Sequence, residues 1–248
     1  MNTFLLLRIT LRLLLVALLV NCTGKSSKEQ INEVKETRYV HDPDGNLKSR
    51  FDIVDGKVHG EAVTYYPGGK ISTVVKYERN KKEGIEKKYY SSGQLYRTRP
   101  YENGKLSGIE KRYYKDGGIK TIQEFRLNNP ASELIEYTPG GRIITDYPTI
   151  LFSITKERDY AEQVLLLFRM SDGSKNVQFY KGKLIRNKYF DQQAELELSN
   201  NGIGEIWIEP DYTGSIFISA KVVRESRGLY VTQARVKLQH GVIREISN

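Results

Sequence analysis

Three histidines, a pair of glutamates and one acidic turn are the residues of this chain whose types could do chemistry. His41, His59 and His240 stand in separate turn-like contexts, and no HExxH pattern joins them. Glu195 and Glu197 are two apart in a strand-like run, which points both outward with no pocket implied. "DPDGN" (Asp42 to Asn46) sets carboxylates at calcium-like spacing, but no Glu closes an EF-hand loop, and turn chemistry accounts for it. There is no G-x-S-x-G elbow, Walker loop or G-x-G-x-x-G; "GIGEIW" lacks the third glycine and opens a strand. The expectation is a non-enzymatic protein with no catalytic residue, metal or cofactor.

What remains is cations beside rings. Lys88 and Tyr90 are i and i+2, so one strand face would carry both; Arg112 and Tyr114 repeat the pair 24 residues on, and Thr64 and Tyr66 precede it. Two readings stand. In one, the rings shield cross-strand contacts and the cations keep the surface soluble. In the other, Lys88, Tyr90, Arg112 and Tyr114 form a binding face for an acidic protein partner, an anionic lipid or a glycan. The charge distribution allows either: of the formal +9, residues 37–145 carry +6 (20 Lys/Arg against 14 Asp/Glu) and residues 146–248 only +1.

These pairs belong to a 24-residue period. "EGIEKKYYSSGQL" at 83–95 returns in kind as "SGIEKRYYKDGGI" at 107–119. Glycine recurs at 45, 69, 93, 117 and 141, and an aliphatic residue at Leu47, Ile71, Leu95, Ile119 and Ile143. Further columns are Ile53, Tyr77, Tyr101 and Phe125; Gly60, Gly84 and Gly108; and Tyr65, Tyr89, Tyr113 and Tyr137. Each unit alternates about seven strand-like residues with a Gly-centred turn, and Asp55-Gly56 and Asn103-Gly104 are hairpin signals. One hairpin cannot bury its apolar face, so neighbouring hairpins must stack and share it. The units resemble the MORN repeat in its variant form, over roughly residues 38–145. That resemblance implies a stacked-hairpin sheet. Members of the variant family include antitoxin components of toxin–antitoxin modules and envelope proteins, which implies a protein-interaction role that is antitoxin-like in one version. "FRLNNPASEL" departs from the pattern, and the ladder is expected to end near it.

The first residues read as an address. Arg8 and Arg12 precede an eight-residue apolar run, Leu13 to Val20, which is too short to span a bilayer and has the length of a signal-peptide core. It ends at Leu19-Val20-Asn21-Cys22, which resembles a bacterial lipoprotein lipobox with Asn21 in place of the usual small residue. The resemblance implies removal of residues 1–21 and lipid attachment at Cys22, the chain's one cysteine. Residues 22–36 then form a polar tether, 37–145 the repeats and 146–248 a second domain.

In that domain the period vanishes. "TILFSIT", "QVLLLFR", "VQFY", "AELELS", "GEIWIE", "SIFISAKVV" and "LYVTQARVKL" read as seven short strands with one wet and one dry face, and "KERDYAEQ" as a turn or two of helix. An antiparallel β-sandwich fits; an immunoglobulin-like one is a candidate, without that fold's Cys pair or well-placed Trp. The whole is thus expected to be all-β: a stacked β-hairpin repeat sheet followed by a sandwich. Functionally it reads as a lipid-anchored module of the bacterial cell envelope whose repeats bind a protein, on the periplasmic or surface side. The alternative is an envelope scaffold whose basic repeat face binds anionic lipid or glycan. An exported protein is not expected to meet nucleic acid, despite its pI of 9.4.

Overall fold

Two kinds of turn, used in alternation, build the first half of the molecule. The computed structural model describes residues 35–156, 164–186, 188–189, 195–197 and 199–248. Cys22, the tether as far as residue 34 and nearly all of "KERDYAEQ" lie outside them. All regular structure among the described residues is β. The strands of the repeat region are β1 (Lys35–His41), β2 (Leu47–Val54), β3 (Lys57–Tyr65), β4 (Ile71–Glu78), β5 (Lys81–Tyr89), β6 (Leu95–Glu102), β7 (Lys105–Leu106), β8 (Gly108–Tyr113), β9 (Ile119–Arg126), β10 (Asn129–Tyr137) and β11 (Ile143–Ile144). They form one antiparallel sheet in sequence order, with β7 pairing β6 beside β8. The ladder opens at Lys35, two residues before the expected boundary, and closes at Ile144.

The tight turns are Asp55-Gly56, Arg79-Asn80, Asn103-Gly104 and Leu127-Asn128, each with positive φ at both residues. That backbone matches the right-handed twist of the flanking strands. The glycine pairs were legible; the other two turns rest on asparagine, which tolerates the left-handed region. The asparagines also join neighbouring units: the Val58 and Leu106 amides donate to Oδ1 of Asn80 and Asn128 at 2.7 and 2.8 Å. The wider turns end in the glycine column. At Gly93, φ is +105°, and its amide donates to the Tyr90 carbonyl at 2.9 Å. A side chain there would be strained by the backbone alone, since nothing lies within 4 Å of its Cβ position.

The second half folds as two sheets around an apolar core. Its strands are β12 (Ile150–Lys156), β13 (Val164–Met170), β14 (Val177–Lys181), β15 (Glu195–Glu197), β16 (Ser199–Asn200), β17 (Ile203–Ile208), β18 (Gly214–Val223), β19 (Leu229–Gln239) and β20 (Val242–Ser247). Seven were expected; β16 and β20 are additional. The sheet orders are β12-β13-β17-β16 and β15-β14-β18-β19-β20. Apart from the edge strand β20, this is the A-B-E-D and C′-C-F-G order of an immunoglobulin-like sandwich. Leu166, Phe168, Met170, Phe179, Ile218 and Val236 are fully enclosed in the core. Each such side chain contributes roughly 1.5–3 kcal/mol. Phe168 and Phe179 meet edge-to-face at 4.9 Å, linking the two sheets without a disulfide. Gly204 fits because any Cβ there would collide with the Phe168 ring. Trp207 is on the exposed side of its sheet.

Sheet and sandwich lie in one unit, Val34–Asn248. The turn between β18 and β19 sits on the last repeat hairpins. The Gln123 amide pairs with both backbone groups of Leu229, accepting from its N–H at 3.0 Å and donating to its carbonyl. Gly228 lies against Leu134, and Arg224 reaches Glu136 at 3.2 Å. Opposite, the Ser132 amide donates to the Lys188 carbonyl at 2.7 Å, and Lys188 Nζ lies 2.7 Å from Glu124.

Candidate interaction surface

Strand register sorts the side chains of the repeat sheet onto two faces. Ser49, Thr64, Thr73, Lys88, Arg97, Arg112, Thr121 and Glu136 are paired in succession from β2 to β10, forming one row on the face that receives the sandwich. We call this the inner face. It brings Lys88 and Arg112 into the same row, with Arg97 between them.

Three cations side by side repel unless carboxylates intervene. Glu86 and Glu110, two residues back along β5 and β8, do so. Glu86 is 4% exposed and meets Arg97 at 3.0 Å and Lys82 at 2.5 Å; Glu110 is 2% exposed, meets Arg112 at 2.7 Å and also binds Arg99. Burial alone would push the Glu86 carboxyl up, but the hydrogen bonds and charges of Lys82 and Arg97 outweigh it and hold it below its usual range. For Arg99, burial works to lower the guanidinium and the Glu110 charge overrides it, so its pKa lies above the ordinary value. The middle of the inner face is therefore an internal ionic ladder.

This places the four sequence-derived residues differently from the expectation of an open binding face. Arg112 is 7% exposed, paired with Glu110 and accepted by the Tyr96 hydroxyl at 3.2 Å, so it is not free to meet an incoming acidic group. Tyr90 and Tyr114 are clips between successive units. Their hydroxyls donate to the carbonyls of Tyr113 and Tyr137 at 2.7 Å, as Tyr66 does to Tyr89. Burial raises both phenols above their ordinary value. Lys88 is half-buried in the row. Where the inner face meets the sandwich, a cleft of about 560 Å³ is lined by Tyr114, Lys120, Glu136, Asp172 and Arg224. Arg224 is held there between Glu136 at 3.2 Å and Asp172 at 3.6 Å.

The opposite, outer face was not singled out in the sequence, and it carries the unexpected polarity. Its central row runs Val63, Val74, Lys87, Thr98, Lys111, Ile122, Ile135. Two residues back along β5 and β8 stand Ile85 and Ile109, 58% and 52% exposed; two residues forward stand Tyr89 and Tyr113. Ile71 and Ile119 are exposed and pair with Tyr65 and Tyr113, extending the apolar surface sideways. Isoleucine thus faces solvent while the adjacent Glu86 and Glu110 are buried. Lys87 and Lys111 make no ion pair among the described residues, whereas Arg50 is tied to Glu61 and Lys76 to Glu78, both at 3.3 Å. "GIEKKYY" has Ile-Lys-Tyr on one face and Glu-Lys-Tyr on the other; the isoleucine was the available signal.

The sequence model of the MORN repeat variant matches residues 58–78 and 82–103. Those two units are variant MORN repeats. The first MORN match spans most of β3 and all of β4, and the second most of β5 and all of β6. The same hairpin geometry continues on both sides of them. A search of curated proteins returns no match. MORN repeats mark a protein- or membrane-interaction module.

Proposed function

We propose that this chain is a non-enzymatic interaction module that docks a protein on the outer face of its MORN repeat sheet. The observation carrying this reading is the exposure of Ile85 and Ile109 directly above buried Glu86 and Glu110. An isoleucine in water gains nothing for the fold, while grouped exposed apolar side chains mark contact sites. In this reading Cys22 carries the lipid that holds the module at a bacterial envelope membrane. An antitoxin-like role is the version in which the partner is a toxin. The alternative, a basic repeat face on anionic lipid or glycan, draws on Lys87 and Lys111.

The test uses full-length protein in its native membrane. Ile85→Glu with Ile109→Glu should abolish co-purification of a stoichiometric partner while leaving the melting temperature within a few degrees. Retention of the partner by that folded variant would refute docking on this face. Cys22→Ala should shift the protein from membrane to soluble fraction and remove fatty-acid labelling; a wild type that never takes up label refutes the anchor.

A further inference from the structure

The chemistry of the partner follows from the two lysines at the centre of that face, an inference that rests on the docking reading above. Ile85, Lys87 and Tyr89 line one strand, and Ile109, Lys111 and Tyr113 line the second strand along, with Thr98 between the lysines. Two inter-strand steps put the ammonium-bearing positions about 10 Å apart. An unpaired lysine enclosed by isoleucine and tyrosine would lose water on docking, which disfavours a purely apolar occupant. It favours one that supplies a carboxylate to each lysine.

We propose that the outer face binds a protein segment presenting two carboxylates about 10 Å apart, flanking an apolar ridge, a spacing close to two turns of helix. A membrane surface fits less well. Electrostatic attachment to anionic lipid uses clusters of roughly four to eight basic residues. Here Arg50 and Lys76 are neutralised by Glu61 and Glu78, and Lys188 is taken up by Glu124, the cross-strand partner of Ile109. The face holds charge for a specific pairing and too little for a lipid surface.

A synthetic amphipathic helix with two glutamates seven residues apart and leucines between them is the probe, measured against full-length protein by fluorescence anisotropy. Versions with glutamine or lysine at those positions are the comparisons. The glutamate helix should bind about tenfold tighter than the glutamine one, and Lys87→Glu with Lys111→Glu should reverse the preference toward the lysine helix. Equal binding of all three helices, abolished by Ile85→Glu with Ile109→Glu, would leave a docking face but overturn the carboxylate pairing. Binding of no helix, or binding indifferent to the isoleucine substitutions, would overturn the docking reading as well. Phosphatidylglycerol vesicles form the last arm: lysine-dependent capture there, without any preference among helices, would replace the protein segment by a membrane.

Discussion

At the residue scale, the inner face shows that a charge can be sequestered as filler. Glu110 holds two guanidiniums, so Glu110→Gln should strand Arg112 in a buried position and cost about 3 kcal/mol by denaturant unfolding. An unchanged midpoint would mean the ladder is incidental. Glu86 gives the ladder a pH dependence. Its folded pKa lies below the ordinary 4.5, so its contribution is complete above that value and is lost as pH falls through the depressed one. Glu86→Gln should therefore be less stable than wild type at neutral pH, with the gap closing in acid; a gap constant from pH 7 to about pH 3 would contradict the assignment. Tyr90→Phe should cost about 1 kcal/mol through the lost bond to Tyr113 and leave partner affinity unchanged. A selective loss of affinity would restore the ring to the binding face. The basic-aromatic pairs were legible as a repeated pattern. Their role was not, because alternation cannot say which face of a two-sided polar strand is covered.

At the element scale, the period announced the hairpins and the residue columns announced the wide turns. Asp55-Gly56 and Asn103-Gly104 were readable because both residues in each accept positive φ. Arg79-Asn80 and Leu127-Asn128 were not, since their stability depends on a side-chain bond to the neighbouring unit 22 residues away. Asn128→Ala should accordingly cost about 2 kcal/mol, combining left-handed strain with an amide at Leu106 left without its acceptor. A thermal melt indistinguishable from wild type would remove this turn from the account. In the sandwich, seven strands were visible from apolar alternation. β16, at two residues, is too short to show a period, and β20 is exposed along most of its length.

At the scale of the whole molecule, one face of the sheet receives the sandwich, and the other is open over β5 and β8, where Ile85 and Ile109 are exposed. The sandwich covers the inner face at its last hairpins through Gln123, Leu134 and Glu136, positions where the preceding unit has Arg99, Glu110 and Arg112. That substitution of Gln and Leu for charge is where the ladder turns from self-filled to docking, and it was hidden in the sequence because the contact joins residues about a hundred apart. The proposed docking is on the outer face, and Lys87 and Lys88, adjacent in sequence, point to opposite faces. A photo-cross-linking amino acid placed at each in turn, in full-length protein in its native cells, separates the two. Docking on the outer face gives a discrete protein adduct from position 87 and none from position 88; an adduct from 88 alone, or none from either, would rule it out.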